Sequence, residues 1–314
     1  MVKHTVFIDG NVGTTGMQIE ARLSEREDVK LLTIPEEKRK DPKAVREYMK
    51  KAEITFLCLP DQAAIEAAEL SEGTGTRLID ASTAHRTDPA WVYGFPELGG
   101  EFRSRLKTSD KTAVPGCHAS GFISLVRPLV EAGAISKDVS LSCASLTGYS
   151  GGGKKLIAKY EGEERTDALK APMPYALSLK HKHLPEMKAV CGLSKAPVFM
   201  PVVGDFYKGM LVSVPMNAEM LNIAPEEIRG VYEKAYGGSE FIKVMPENFD
   251  LAASGGFLSP ELENGTNNLD IFVFRGGESV LLCSVFDNLG KGSGGAAVQC
   301  MNIMLGLPEK TGLN

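Results

Sequence analysis

The first third of the chain alternates short apolar runs with segments of helical periodicity. Apolar runs of a few residues predict strands, and apolar residues spaced three and four apart predict the helices between them. This repeating order of strand and helix is typical of a parallel sheet with helical connections. The predicted strands are 5–8, 29–34, 54–59 and 78–79, and the predicted helices are 15–23, 44–51 and 63–70.

The pattern changes in the middle of the chain. Between residues 118 and 287 the strand candidates are longer, and few segments with helical spacing separate them. Such a pattern favours a mixed or antiparallel sheet, so we expect a second domain here. The predicted strands are 139–145, 198–203, 210–214, 269–274 and 280–285.

A glycine-rich turn follows the first predicted strand and reads DGNVGTTG over residues 9–16. Its glycines recur at every third position, whereas the usual dinucleotide-binding motif spaces them as G-x-G-x-x-G. Gly10 suits a tight turn, Gly13 lets the backbone approach a pyrophosphate, and Gly16 allows close helix packing. A loop that only turns the chain is the alternative interpretation. The residues expected to bind a nucleotide here are Gly10, Val12, Gly13, Thr14, Thr15 and Gly16.

The end of the second predicted strand bears on the choice between NAD and NADP. The strand ends without the acidic residue that commonly holds the ribose hydroxyl of NAD. The sequence EEKRK follows at residues 36–40, and its cations favour the 2′-phosphate of NADP. NADP is therefore the expected cofactor, and a solvated charged loop is the alternative explanation of these residues.

Cys117 is the candidate nucleophile. It follows a Pro-Gly turn in the sequence VPGCHASG and precedes an apolar run of helical spacing, which places it at a predicted helix N-terminus. The helix dipole favours a thiolate at that position. No C-x-x-C pair is present, so neither a zinc site nor a disulfide framework is indicated. The five cysteines interpreted as small core residues are Cys58, Cys143, Cys191, Cys283 and Cys300.

A histidine pair supplies the base that a thiol nucleophile needs. His181 and His183 carry imidazoles, the side chain whose unperturbed pKa lies near neutrality. The Pro185-Glu186 pair after them predicts a helix start that would fix their position. An exposed surface pair is one alternative. A metal site is another, although no third ligand lies nearby in the sequence and we expect none. The settings of His4, His85 and His118 make weaker cases.

Two further segments are rich in hydrogen-bond donors. Residues 79–86 follow an apolar run, and such strand ends border the ligand crevice of an α/β sheet. Residues 148–155 read GYSGGGKK and predict a flexible loop whose amides and lysines suit a phosphate. A structural arginine and a surface linker are the alternative interpretations. The candidates are Ser82 for the cofactor and Arg86, Ser150 and Lys154 for the substrate.

The C-terminal segment begins DNLGKGSGG at residue 287 and continues as an apolar helix. Small residues at a helix start permit close approach to another backbone or a flat ring. We expect this segment to return to the nucleotide-binding domain and to contribute Asn288, Lys291 and Gly292 to the cofactor site. An ordinary C-terminal packing helix is the alternative.

Composition excludes several classes of partner. The chain has 314 residues, of which 43% are hydrophobic and 24% charged, which is enough for two domains of ordinary size. A formal net charge of −5 with scattered basic residues gives no footprint for nucleic acid or an anionic membrane. With no secretory signal and no apolar stretch of membrane-spanning length, we expect a cytoplasmic protein.

Four motifs, which occur in the order typical of a known family, carry a resemblance to that family. Along the chain they are YGFPEL at residues 93–98, PGC at 115–117, HKHLPE at 181–186 and DNLGKG at 287–292. Together they resemble the short form of N-acetyl-gamma-glutamyl-phosphate reductase, within the wider semialdehyde dehydrogenase group.

This resemblance implies a fold, an assembly and a reaction. The fold is α/β, with a Rossmann-type NADP-binding domain of residues 1–117 and 288–314. An inserted α+β catalytic and oligomerisation domain of residues 118–287 holds the mixed or antiparallel sheet. The implied assembly is a homo-oligomer, either a dimer or a tetramer, and the implied reaction is the third step of arginine biosynthesis.

In the expected reaction, the Cys117 thiolate attacks an acyl phosphate, phosphate leaves, and NADPH reduces the resulting thioester to a semialdehyde. His183 or His181 moves the proton, with His183 favoured. Three alternatives stay open: a reductase of an aspartyl or N-acetyl-aminoadipyl phosphate, a cysteine hydrolase without a nucleotide, and a non-catalytic NADP-binding regulator.

Overall fold

The computed structural model describes residues 3–252 and 255–314. Within them the chain forms two compact units, which differ slightly from the predicted division because residues 97–99, 116–117 and 288–292 group with the second unit. The first unit comprises the chain up to Pro96, Gly100–Pro115 and Ser293–Asn314, and the second comprises Glu97–Gly99 and Gly116–Gly292.

The first unit is built on a parallel sheet, as the alternating pattern predicts. Its strands are β1 (His4–Asp9), β2 (Val29–Leu32), β3 (Ile54–Leu57), β4 (Arg77–Asp80), β5 (Val92–Tyr93) and β6 (Lys111–Ala113). Their order over the described residues is β2-β1-β3-β4-β6-β5, and every pair is parallel. The helices are α1 (Thr14–Ser24), α2 (Pro42–Met49), α3 (Asp61–Leu70) and α4 (Gly100–Thr108).

Strand direction in this sheet determines where a ligand can bind. Strands β2 and β3 lie on opposite sides of β1. The chain passes from β1 to β2 on one side and then crosses to β3 on the other, so the connecting helices diverge at β1. Nucleotides bind at the carboxyl ends of the strands where such a reversal occurs. The glycine-rich turn follows β1 at this position. The sheet itself is held by a core that includes Phe7, Leu57 and Leu78, each at most 1% exposed.

The second unit contains a mixed sheet with the order β11-β12-β13-β10-β7-β9-β8 over the described residues. The pairs β7–β9 and β11–β12 are parallel and the others antiparallel. The strands are β7 (Ser142–Gly148), β8 (Met173–Pro174), β9 (Val198–Gly204), β10 (Met210–Asn217), β11 (Ile242–Val244), β12 (Leu269–Gly276) and β13 (Ser279–Phe286). The helices are α5 (Cys117–Glu131), α6 (Gly153–Glu161), α7 (Leu184–Cys191) and α8 (Ile228–Tyr236).

Helix α5 is the buried centre of this unit. It packs on β10 and β13 and against α7 and α8. Gly121 permits the close approach to the sheet, because a Cβ there would lie 2.4 Å from Val212 Cγ2. Pro128 lies inside α5 and has no N–H for the carbonyl of Ser124. The hydroxyl of Tyr236 on α8 donates to that carbonyl at 2.8 Å, so the helix keeps its polar groups paired at the proline.

The chain returns to the first unit through α9 (Gly295–Met304), which packs on α1 and α4. The return lies between residues 292 and 293, so Asn288, Lys291 and Gly292 belong to the unit that contains Cys117. Of the residues described, none forms a helix long and apolar enough to cross a membrane.

Two local predictions for the second unit are wrong. The strand predicted at 139–145 forms as β7 over Ser142–Gly148. The flexible loop predicted at 148–155 is a 3-10 turn over Tyr149–Gly152 followed by the first turn of α6. The apolar residues Leu156 and Ile157 favour a helix here, but the preceding run of glycines makes the segment resemble a loop.

Candidate active site

Cys117 is the first residue of α5. The preceding Gly116 is extended, with φ −74° and ψ 145°, so the chain enters the helix at the cysteine. Cys117 is partly exposed, and so is Cys58, which corrects the interpretation of Cys58 as a core residue. The cysteines in buried positions are Cys143, Cys191, Cys283 and Cys300. Burial raises the pKa of Cys143 and Cys191, which makes them poor nucleophiles. The structure therefore keeps the helix N-terminus for the one cysteine predicted to react.

Three histidine rings cluster at this end of α5. The ring centroids of His181 and His183 are 4.7 Å apart, and His118 lies 5.4 Å from the first and 5.5 Å from the second. Because His118 follows Cys117 directly, these distances place the predicted pair beside the nucleophile's helical turn. His183 is the N-cap residue of α7 and is 4% exposed, and its backbone N–H donates to His181 Nδ1 at 3.2 Å.

Glu186 connects the histidine motif to the cysteine turn. Its carboxylate is 1% exposed, and Oε2 accepts a hydrogen bond from the backbone N–H of Gly116 at 3.1 Å. Glu186 stands in the first turn of α7, so the contact joins the start of α7 to the start of α5. The sequence predicts Glu186 only as part of a helix start; its contact with the cysteine turn is a finding of the structure.

A second polar network passes through His118, which sequence analysis ranked below the histidine pair. His118 Nδ1 lies 2.6 Å from Ser145 Oγ on β7, and His118 Nε2 lies 2.8 Å from the hydroxyl of Tyr175. Burial, with a smaller contribution from the charges of His181 and Lys182, lowers the pKa of His118 to about 3. Burial raises the pKa of Tyr175, and the charge of a Cys117 thiolate adds to that effect.

The sequence does not predict that Ser145 and Tyr175 lie near Cys117. Ser145 lies inside a strand pattern, and Tyr175 lies 57 residues beyond His118 in an irregular segment. The only signal available was that His118 adjoins the nucleophile.

The glycine-rich turn in the first unit has the geometry of a phosphate-binding loop. Gly10 has φ +88°, and a Cβ there would lie 2.3 Å from the Cys58 carbonyl oxygen. A Cβ at Gly16 would lie 2.5 Å from the oxygen of Gly10. Gly13 is the N-cap of α1 with no side-chain cap. The buried Oγ1 of Thr14 has no hydrogen-bond partner in the described chain. This turn therefore fits a nucleotide phosphate.

The remaining residues of this turn have other environments. Val12 is 50% exposed. The Thr15 hydroxyl lies 3.1 Å from Ser293 Oγ, at the start of the C-terminal return.

Ser82 and Arg86, the candidates at strand ends of the first unit, form hydrogen bonds within that unit. Ser82 donates to the Asp80 carboxylate through both its N–H and its hydroxyl, at 2.8 and 2.7 Å. Arg86 Nε donates to the Val114 carbonyl at 2.9 Å, and Nη2 donates to the Ala81 carbonyl at 3.2 Å. These contacts assign both residues a structural role at the end of β4, and their ligand roles stay predictions.

The C-terminal candidates lie in the second unit. The Asn288 amide accepts from the N–H of Gly209 at 2.8 Å and donates to Ser150 Oγ at 3.0 Å. Lys291 forms a buried ion pair with Glu97 at 2.6 Å. A Cβ at Gly292 would lie 2.9 Å from Cys117 Cβ, so this glycine packs on Cys117.

Lys154 is exposed in the first turn of α6, in the same unit. No group of three His, Cys, Asp or Glu side chains arranged to hold a metal occurs in residues 3–252 or 255–314.

Comparison with known proteins identifies the family. Residues 5–106 match the family model of the semialdehyde dehydrogenase NAD binding domain, and residues 117–288 match that of the semialdehyde dehydrogenase dimerisation domain. N-acetyl-gamma-glutamyl-phosphate reductase 2 of Nostoc sp. is 42% identical to this chain over all of both sequences. The protein of that name from Pseudomonas putida is 44% identical over 98% of each. The chain belongs to the N-acetyl-gamma-glutamyl-phosphate reductase family.

Membership of this reductase family makes the chain an oxidoreductase of the semialdehyde dehydrogenase group and confirms the sequence resemblance. Solved structures confirm the predicted fold class. Aspartate semialdehyde dehydrogenase II of Vibrio cholerae has a TM-score of 0.72 at 16% identity, covering 97% of this chain and 99% of its own. The Candida albicans enzyme, solved with NADP, has a TM-score of 0.65 at 14% identity and the same coverage. Because these identities are only 16% and 14%, the comparison with the solved structures shows a shared fold and nothing more.

Proposed function

We propose that this chain reduces N-acetyl-gamma-glutamyl phosphate to N-acetylglutamate semialdehyde and phosphate in arginine biosynthesis, with NADPH as reductant and a thioester on Cys117. One observation supports this most directly: Cys117 starts α5 beside the cluster of His118, His181 and His183. The names of the Nostoc and Pseudomonas relatives support the acyl group.

In the first step the Cys117 thiolate attacks the carbonyl carbon of the acyl phosphate. The C–S bond forms, the carbonyl electrons move to oxygen, and their return breaks the bond to phosphate and leaves a thioester. Backbone N–H groups in the first turn of α5 have no partners within the helix and stabilise the oxyanion. Glu186 holds this turn through Gly116, so the amides are oriented before the substrate arrives.

In the second step, bound NADPH supplies the hydride that reduces the thioester carbonyl. His183 donates a proton to the oxygen as its charge develops and takes the proton back as the C–S bond breaks. The semialdehyde leaves and the thiolate is restored. We assign this role to His183 ahead of His181 because His183 is 4% exposed and anchored at the start of α7.

NADP is the proposed cofactor, bound by the first unit. Lys38, Arg39 and Lys40 follow β2, and the buried Nε of Arg39 has no hydrogen-bond partner within the residues described. A guanidinium flanked by two ammonium groups suits a 2′-phosphate. Arg39→Gln should raise the Kd for NADP and leave the Kd for NAD unchanged; an equal change in both would contradict the assignment.

The glycine-rich turn offers a matched pair of variants. A Cβ at Gly13 would lie 3.5 Å from the Gly10 oxygen, an ordinary contact, whereas one at Gly16 would clash with backbone at 2.5 Å. Gly13→Ala should fold normally and bind NADP more weakly, because its methyl group would occupy the approach to the pyrophosphate. Gly16→Ala should instead lower the stability of the folded protein. Unchanged NADP binding by Gly13→Ala would place the pyrophosphate elsewhere.

The second unit is proposed to carry the chemistry and the contacts of a homo-oligomer. Its sheet exposes apolar side chains, among them Val198 at 63%, Met200 at 50% and Leu281 at 39%. Residues 117–288 also match a dimerisation domain. The contacts of Ser82, Asn288, Lys291 and Gly292 with the cofactor, those of Arg86, Ser150 and Lys154 with substrate, and the cytoplasmic location stay predictions.

The decisive assay runs the reaction backwards. NADP reduction should require both N-acetylglutamate semialdehyde and inorganic phosphate, and aspartate semialdehyde should be a poor substrate. Cys117→Ser should abolish turnover while NADPH still binds. Cys143 is buried, so the control variant Cys143→Ser should keep its turnover. Turnover of aspartate semialdehyde alone would identify a different acyl phosphate. NADPH binding without any turnover would favour a regulator.

A further inference from the structure

Ser145, His118 and Tyr175 form a hydrogen-bond network beside Cys117, and their burial determines which partner donates in each bond. Ser145 is fully buried on β7, and His118 Nδ1 is the hydrogen-bond partner that the described chain offers its hydroxyl. A buried hydroxyl hydrogen without an acceptor is unfavourable, so Ser145 donates and Nδ1 accepts. Nδ1 therefore carries no hydrogen.

The second ring nitrogen of His118 follows from the first. Burial lowers the pKa of His118 to about 3, so the ring is neutral near pH 7 and has one N–H. Since Nδ1 accepts, that hydrogen is on Nε2, and it is donated to the Tyr175 oxygen at 2.8 Å. The hydrogen of the Tyr175 hydroxyl is then left without an acceptor among the residues described.

Tyr175 lies in the cluster of side chains around Cys117. Its hydroxyl is 2.8 Å from Nε2 of His118, the residue that follows Cys117, and its ring centroid is 6.0 Å from that of His181. Tyr175 is 36% exposed, so a ligand can reach it, whereas His118 is 3% exposed and Ser145 is sealed in the sheet. The carbonyl oxygen under attack is one bond from the carbon that joins the sulfur.

We propose that Ser145 and His118 are positioning residues that hold the Tyr175 hydroxyl as a hydrogen-bond donor to the carbonyl oxygen of the acyl group on Cys117. This inference rests on the proposed function for the identity of the reaction. Tyr175 supplies a hydrogen bond to the developing oxyanion and transfers no proton. His118 and Ser145 touch neither substrate nor nucleophile in this role; they fix the direction in which the tyrosine donates.

The tautomer of His118 tests the relay without any turnover. Protein labelled with 15N-histidine should show Nε2 protonated and Nδ1 unprotonated for the signal that disappears in His118→Phe. Ser145→Ala removes the donor to Nδ1, so the opposite tautomer should become populated. Ser124→Ala is the matched control, because Ser124 is also buried but donates to the Gly121 carbonyl. A wild-type ring protonated on Nδ1 would overturn the relay.

The contribution to catalysis is tested with a double-mutant cycle in the reverse reaction. Tyr175→Phe should lower kcat by about 10²-fold with the phosphate KM unchanged, the size of effect seen when one oxyanion donor is removed. Ser145→Ala should lower kcat about tenfold, equivalent to about 1.4 kcal/mol, and should lower it no further in Tyr175→Phe. Tyr232→Phe on α8, whose hydroxyl donates to a backbone carbonyl, controls for loss of a buried hydroxyl.

The outcomes separate the relay from the proposed function. Losses that multiply in the double variant, or a raised phosphate KM with kcat unchanged, would overturn the role given to Tyr175. Wild-type protein without phosphate-dependent turnover would overturn the proposed function, while the tautomer measurement would still decide the direction of the relay.

Discussion

Asp9 ends β1 immediately before the glycine-rich turn, and its side chain is 9% exposed. Burial raises its pKa from 3.8 to about 6. The folded chain therefore holds a proton that the unfolded chain releases between these values, and stability is lost as the pH rises through about 6. At about 1.4 kcal/mol per pH unit, the full loss is about 3 kcal/mol, of which about 2 kcal/mol falls between about pH 4.5 and pH 8.

Asp9→Asn removes this charge with little change in shape, so its advantage over the wild type should grow by about 2 kcal/mol from about pH 4.5 to pH 8. Urea unfolding followed by Trp91 fluorescence measures it, because the only tryptophan lies in the core of the same unit, 6% exposed. Asp28→Asn is the control of opposite sign: the hydrogen bond from Arg26 lowers the pKa of Asp28 below its usual 3.8. This variant should therefore be equally harmful at every pH above about 4 and less harmful only at lower pH. A stability difference between the wild type and Asp9→Asn that does not change with pH would refute the reasoning.

Two further substitutions examine helix α5, which begins at Cys117. Glu186→Gln keeps the size of the side chain but weakens its bond to the Gly116 amide, so kcat should fall about tenfold, the rate equivalent of about 1.4 kcal/mol; a normal kcat with a lowered melting temperature would make the contact purely structural. Gly121→Ala places a methyl group 2.4 Å from Val212 and should cost about 1–3 kcal/mol of stability in thermal or urea unfolding. Gly230→Ala on α8 meets open space and should be neutral or stabilising by about 0.5–1 kcal/mol.

Local pattern was enough to predict the parallel sheet and the position of Cys117. Strands β1 and β3 have apolar runs long enough to be read directly, and the Pro-Gly turn marks where α5 begins. These features depend on residues that are close together in the sequence, so periodicity and turn chemistry report them. The family motifs added the substrate class, which local pattern does not contain.

The polar contacts around the site were beyond local pattern. Ser145 looks like any small residue in a strand, and its role depends on the pairing of β7 with β10, which brings it under α5. The sequence singles out Arg86 as a substrate ligand, a role that stays a prediction, but it does not reveal that the guanidinium donates to two backbone carbonyls of its own unit. Such contacts are decided by which distant strands and helices pack together, so spacing along the chain does not reveal them.

The bond between Glu186 and Gly116 spans 70 residues, and this separation governs when the site comes into being. A chain emerging from the ribosome exposes Cys117 well before α7 has been made. Until α7 docks on α5, the cysteine turn has neither its carboxylate brace nor the histidines beside it. The nascent chain therefore carries Cys117 without these neighbours, and their arrangement at the start of α5 exists only in the finished fold.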